Sequence, residues 1–185
     1  MTRELPLPKR IIRQYKFMYQ EQINKIQVHD ENNIKGFFGE YRWLSNFHLC
    51  PVEYEGVVYP SSENAYMAAK LIPEDRVNLV GVTPKEAKKL WKNYRLLDKS
   101  AEEWDYRKAS VMFRVLYDKF DRNHDLMAKL KATDKMYLEE TNWWNDVFWG
   151  KCDGKGENVL GMLLTLIREM ALLVEVEEGA IKHGN

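Results

Sequence analysis

The sequence lacks an excess of charge of either sign. Its 28 Lys and Arg residues balance 28 Asp and Glu, so no net basic field exists to hold a nucleic acid wholesale, although a local patch would still serve. Cysteine is scarce. Cys50 and Cys152, the only two, are far apart and outside any CxxC or Cys/His cluster, which argues against a disulfide scaffold and against a zinc site. The opening MTRELPLPKRIIRQYK carries no continuous apolar run of the signal-peptide kind, and no later stretch is long enough to span a bilayer. Internal repeats and low-complexity segments are also missing. A cytoplasmic enzyme or binding module is the class these absences leave. At 185 residues, 45% of them hydrophobic, the chain can bury the core of one domain but not of two.

What is present is mostly helical. Residues 9–28 read as a basic amphipathic helix, loosely periodic through Ile11, Tyr15, Met18, Gln22 and Ile26. FFGEYRWLSNF has no clean period and reads as an ordered loop. VEYEGVVYP alternates about Glu55-Gly56, a hairpin signal. PSSENAYMAAK reads as a helix capped by its serines and stopping near Pro73. Residues 74–80 suit a short helical turn, and 84–92 a firmer helix with Thr83 at the N-cap and Pro84 at N1. Ser100 caps a long helix with Trp104, Val111, Val115 and Leu116 facing inward, and Asp121 to Lys131 continues helical. KMYLEET suits a short strand, TNWWNDVFWGKCDGKGEN an aromatic and glycine loop, and ENVLGMLLTLIREMALLVEV an apolar closing helix. The expected fold is α+β, one compact helix-rich domain with short β-hairpin elements. Its parts are a helical extension over 1–35, a catalytic domain over 36–175 and a polar tail over 176–185.

The helix that starts at Pro60 poses a chemical question. It is apolar on nearly every side, yet it carries Glu63 and Lys70, seven positions apart and so on nearly one meridian, about 10 Å along the axis. Burying either charge is costly unless it is paired or used. Singly, each candidate has an ordinary explanation: Glu63 meets the positive end of a helix dipole, Lys70 snorkels, Asp146 shapes a turn, and Trp143, Trp144 and Trp149 pack. GKGEN lacks the spacing of a P-loop. Together, two separated carboxylates, a lysine on a buried helix and several aromatic faces suit a site for a flat base and a sugar. Breaking a ribosyl N–C bond passes through a cationic, oxocarbenium-like sugar, which a carboxylate stabilises while a second group protonates the base or activates water. A lysine in apolar surroundings loses its proton more readily and becomes a nucleophile toward a sugar carbon.

Five short motifs in register carry a resemblance. They are F-x-G-x-x-x-x-LSNF, YP-S-SE-x-x-x-x-AAK, Trp104 upstream of Val111-Met112, ND-x-x-WG and GKG-x-N-x-LG-x-LL. In this order, from about Phe37 to about Arg168, the chain resembles the YbiA-like or NADAR family. The resemblance implies N-glycosidase chemistry: hydrolysis of ribosylamine phosphate intermediates of riboflavin biosynthesis, or removal of ADP-ribose from modified guanine in nucleic acid. It implies a mainly helical α+β domain and no metal or redox cofactor. It places the functional carboxylates at Glu63 and Asp146, the functional tryptophan at Trp104 and a Schiff-base-forming lysine at Lys70. Phe38, Gly39, Ser45, Asn46, Phe47 and Trp149 would line the pocket, and Gly154, Lys155, Gly156 and Asn158 would approach phosphate, since glycines admit close backbone approach and a helix N-terminus follows. Many members read SEH with a glutamine before the lysine; Asn64 and Met67 stand at those positions here.

Two rival readings remain beside the hydrolase. One is a module that binds ADP-ribose or a related nucleotide without turnover, and the other an interaction protein in which the motifs are only core. Binding a polyanion gains nothing from buried negative charge, so Glu63 and Asp146 weigh against the first. The basic residues Lys9, Arg10, Arg13 and Lys16 suit either a polymeric, nucleic-acid-borne substrate or a solvated helix face.

Overall fold

Side-chain caps decide where the helices begin. Ser61 accepts a hydrogen bond from the Asn64 N–H to open α2 (Ser62–Ala68), and Ser100 accepts from the Glu103 N–H to open α4 (Ala101–Arg122). Thr83 and Glu86 close a reciprocal capping box ahead of Pro84, starting α3 (Pro84–Leu90). Each such cap contributes about 1 kcal/mol. The computed structural model describes the backbone of residues 9–183, with the side chains of 17–174 and 176. The expected basic patch Lys9, Arg10, Arg13 and Lys16, the inward candidates Ile11 and Tyr15, and most side chains of the 176–185 tail lie outside the described residues.

Helix α1 (Lys9–Ile26) leads into β1 (Val28–His29) and β2 (Asn33–Lys35), and β2 is the middle strand of a sheet ordered β1-β2-β5, antiparallel to β1 and parallel to β5 (Tyr137–Glu139). Residues just before the boundary drawn at 36 are thus hydrogen-bonded to the far end of the chain, and Ile34 is fully buried. Among the described side chains of α1 the buried one is Ile23, whereas Met18 is exposed, which corrects the loosely drawn periodicity at that position. The segment expected as a loop winds into a 3-10 helix over Gly39–Leu44. The hairpin forms as read: β3 (Leu49–Tyr54) pairs antiparallel with β4 (Val57–Ser61) through a turn in which Glu55 and Gly56 have φ of 49° and 82°, the left-handed geometry of a tight two-residue connection.

Three expected bounds shift. Helix α2 ends at Ala68, so Lys70 follows the helix in a turn instead of riding its last coil. The helix expected from Asp121 breaks at Asn123, and α5 spans His124–Ala132. The closing helix α6 runs Val159–His183, past the boundary drawn at 175. Two two-residue strands, β6 (Thr141–Asn142) and β7 (Lys151–Cys152), pair in parallel and bracket the aromatic loop. No helix among the described residues is long and apolar enough to cross a membrane.

The core is one contiguous cluster that joins α2, α4, α5 and α6 to the strands. In α4 the buried side chains Val111, Met112, Val115, Leu116 and Phe120 recur at helical spacing. Between them lies Lys119, wholly buried, whose ammonium donates to the carbonyls of Trp43 (2.7 Å) and Ser45 (3.1 Å). Burial pushes this lysine down to about 8. Its function is geometric: it fixes the backbone just ahead of Asn46. Lys119→Ala takes the ammonium from the Trp43 carbonyl and from the Ser45 carbonyl, which keeps the His48 N–H, and opens a void; it is expected to cost about 3 kcal/mol, measured by urea unfolding.

Candidate active site

The motifs converge because their backbones bind one another. The Glu63 N–H donates to the Asn46 carbonyl at 3.0 Å, so the start of α2 is fastened to the LSNF segment that Lys119 holds from behind. Asn46 also donates its amide to the Met112 sulfur at 3.5 Å. On the opposite strand pair, Asn142 grips the aromatic loop: its side-chain oxygen accepts from the Asp146 N–H (3.0 Å), and its amide donates to the carbonyls of Asp146 (2.8 Å) and Lys151 (3.1 Å). Asp146 Oδ1 in turn accepts from the Trp149 N–H at 2.9 Å.

These segments enclose a cavity of about 750 Å³, within the roughly 300–1,000 Å³ that small ligands and cofactors occupy. Glu63, Asp146 and Lys70 all face it, as do Phe38, Ser45, Asn46, Phe47, Trp104 and Trp149. Glu63 and Asp146, from distant parts of the chain, thus open onto one cavity.

The electrostatics follow from burial. Glu63 is 5% exposed, and its Oε1 has no hydrogen-bond partner. Burial pushes its carboxyl up to about 7, with Lys88 and Lys70 pulling it down and Asp146 pushing it further up. Burial lowers the Lys70 ammonium, and the Glu63 charge opposes that. Lys70 Nζ lies over three rings, 4.2 Å from the centroid of Trp91, 4.7 Å from Trp104 and 5.7 Å from Tyr66. A cation so boxed is held by ring quadrupoles, which orients the amine without tying it up in an ion pair.

Several lining residues carried no role in the sequence reading. Tyr66 and Met67 come from α2, Lys88 from α3, Asp105, Lys108 and Met112 from α4, and Tyr19 from α1. Arg42, Glu140, Trp143, Trp144, Phe148 and Leu160 complete the wall. Tyr19 meets Trp143 edge-on at 5.3 Å, and Trp143 stacks on Phe38 at 5.8 Å. The helical spacing of Tyr66 and Met67 with Glu63 could have flagged those two; nothing local marks Glu140 or Lys88.

The glycine loop is a correction. Gly39, Gly154, Lys155, Gly156 and Asn158 are not in the cavity wall. The N–H groups of Glu157, Val159 and Leu160 donate to the carbonyls of Val147, Phe148 and Trp149 at 2.8–3.0 Å, and that of Asn158 to Gly150 at 3.3 Å. The N–H groups of Val159 and Leu160 at the start of α6 are therefore taken by backbone carbonyls and not turned to a phosphate. Asn158 donates to the Leu138 carbonyl (2.8 Å) and accepts from the Glu140 N–H (3.0 Å). Gly154 turns an exposed hairpin at φ 74°. Gly156, at φ 139°, lies so close to the Gly150 carbonyl that no Cβ fits. These glycines are needed for packing and turning.

The departure at Asn64 also lies off the cavity. Its amide bridges the carbonyls of Leu79 and Val82 at 2.9 Å each, and its oxygen accepts from the Ser61 hydroxyl. Met67, by contrast, faces the cavity. Among the described residues, no group of three or more His, Cys, Asp or Glu is placed to hold a metal ion.

Comparison with known proteins gives concordant matches. The NADAR domain model matches residues 16–171. "N-glycosidase YbiA" of Escherichia coli (strain K12) is 32% identical over 155 residues, covering 78% of this chain and 92% of its own length. "Riboflavin biosynthesis protein VVA0006" of Vibrio vulnificus (strain YJ016) is 32% identical over 131 residues, 69% of this chain but 35% of that longer protein. The solution structure of E. coli YbiA superposes with a TM-score of 0.67 at 29% identity, covering 84% of this chain and 94% of that one.

Proposed function

Since this chain belongs to the NADAR domain family, we propose that it is an N-glycosidase that hydrolyses the bond between a ribose carbon and a base or amine nitrogen. The observation that carries the reading is a buried carboxyl with an unpartnered oxygen, Glu63 Oε1, sharing one cavity with Asp146 and the boxed Lys70. A buried carboxyl oxygen without a protein partner calls for an explanation; in this reading a ligand hydroxyl or an attacking water is that partner.

In this reading Asp146, held by the Trp149 N–H, stabilises the cationic sugar that appears as the bond to nitrogen breaks. Glu63, with its proton equilibrium near neutrality, takes the proton of the attacking group. Lys70 is the nucleophile toward the opened ribose, its amine aimed by the rings of Trp91, Trp104 and Tyr66. The aromatic wall supplies faces on which a flat base stacks.

For the substrate, the volume of the cavity and its mixed wall of rings and cations favour an ADP-ribosylated base, carried on guanine in nucleic acid, over a ribosylamino-pyrimidine phosphate. Arg42, Lys88 and Lys108 supply positive charge at the wall. The second reading, a nucleotide-binding module without turnover, has in its favour the same rings and cations.

The test is a parallel assay offering ADP-ribosylated guanosine in DNA and in RNA, NAD, and a ribosylamino-pyrimidine phosphate. Release of the free base or amine is expected from one of them. Tight binding with no product from any would favour the module. For Lys70, borohydride added during turnover is expected to leave a mass adduct on the peptide containing Lys70 and none in Lys70→Arg. An adduct on Lys155 instead would move the nucleophile.

A further inference from the structure

Glu140 belongs to none of the motifs read from the sequence, yet the structure fastens its backbone on both sides. Its N–H donates to Asn158 Oδ1 at 3.0 Å and its carbonyl accepts from the Lys151 N–H at 2.9 Å. Gly150 packs so close to that carbonyl that a Cβ there would overlap it. With both backbone groups engaged, the Cα of Glu140 is fixed at the cavity edge. Its side chain lines the cavity, and Oε2 is buried without a hydrogen-bond partner.

An orphaned carboxyl oxygen with no protein partner is completed by a ligand or a proton. The charged groups around it come from five elements: Arg42 from the 3-10 segment, Lys88 from α3, Lys119 from α4, Glu63 from α2 and Asp146 from the aromatic loop. Arg42 and Lys88 favour the charged form. Burial, the largest influence, together with Asp146 and Glu63, overrides them and pushes the carboxyl up to about 8. Four acids line the cavity, Glu63, Asp105, Glu140 and Asp146, and burial holds Glu140 toward its protonated form.

We propose that Glu140 is the proton donor to the departing nitrogen, a role separate from those of Glu63 and Asp146. The inference rests on the glycosidase reading above. The carbon–nitrogen bond breaks with its electron pair going to nitrogen, and the Glu140 O–H proton follows that pair. A water adds to the ribosyl carbon and gives its proton to the Glu63 carboxylate; where the Lys70 amine adds first, a water then hydrolyses the carbon–lysine bond, freeing the sugar and returning the amine. Glu63 then carries the proton that Glu140 lost, and exchange with solvent resets both.

Two measurements test this. In the infrared difference spectrum of wild type against Glu140→Gln, a protonated-carboxyl band is expected at pH 7, titrating away near pH 8. No such band would overturn the assignment without reference to any substrate. In the turnover assay, Glu140→Gln is expected to lower kcat about 100-fold with KM within about twofold, and to remove the alkaline fall in kcat/KM. A loss that is uniform across pH, or a wild-type profile, also overturns it. The two readings separate cleanly: if Glu63→Gln is inactive while Glu140→Gln behaves as wild type, only the Glu140 role falls. If the wild type cleaves no ribosyl base at all, both fall.

Discussion

Glu63→Gln is expected to reduce turnover by about a thousandfold or more and, at the same time, to make the empty protein harder to unfold at pH 8. The two effects share one cause. The Glu63 carboxyl is raised from 4.5 to about 7 in the folded chain, so between those values the folded state binds a proton that the unfolded state has released. Stability is therefore fully present below pH 4.5, falls as pH rises through 7, and is flat above that. Glutamine has no charge to bury and escapes the loss. At about 1.4 kcal/mol per tenfold in the proton equilibrium, the gain at pH 8 is of the order of 3 kcal/mol, or roughly 6–12 °C in Tm. At pH 4 the variant and wild type should melt alike. Thermal melts of both proteins across pH 4–9 check the sign. Equal Tm differences at every pH would mean that Glu63 is not held against its own charge, and the case for a poised acid there would collapse. Asp146→Asn is expected to lose turnover by about 100-fold to 1,000-fold, with the Trp149 N–H still accepted by the amide oxygen.

Gly150→Ala should be the most damaging single methyl that the site can receive. The added Cβ would overlap the Glu140 carbonyl oxygen and press on Asn142 Nδ2 at 2.9 Å. Neither neighbour can yield: the Glu140 carbonyl accepts from Lys151 N–H, and the Asn142 amide holds the Asp146 and Lys151 carbonyls. The expected cost is about 3 kcal/mol, seen as a Tm lower by roughly 6–12 °C, with Asp146 and Glu140 both displaced and turnover lost. Gly81→Ala is the control. No atom lies within 4 Å of a Cβ built there, and its stability should stay within about 0.5 kcal/mol of wild type. If Gly150→Ala were as mild as Gly81→Ala, the aromatic loop would not be clamped as described.

How much of this was legible beforehand depends on the range of the interaction. The caps at Ser61, Thr83 and Ser100 and the turn at Glu55-Gly56 are decided by neighbours within three or four residues, and all four formed as read. Glu63 and Asp146 were legible as candidates because a carboxylate inside an apolar or aromatic stretch is costly wherever the chain goes. The phosphate loop misread a local signal: glycines beside a helix start suggest an anion site, but carbonyls of Val147 to Gly150 reached those N–H groups first. Lys119 was invisible for a related reason, since a lysine on a long helix is ordinarily solvated and only the arrival of Trp43 and Ser45 makes it a buried anchor.

The sequence by itself determined the capped helix starts, the hairpin and the α+β class, and marked the two carboxylates as candidates, because each depends on the chemistry of a short run of residues. Tertiary structure alone decided that Glu140 faces the same cavity as Glu63 and that Lys70 sits among three rings. The physical reason is that burial belongs to no residue until distant segments pack over it, and it is burial that turns an ordinary acid or amine into a reactive one.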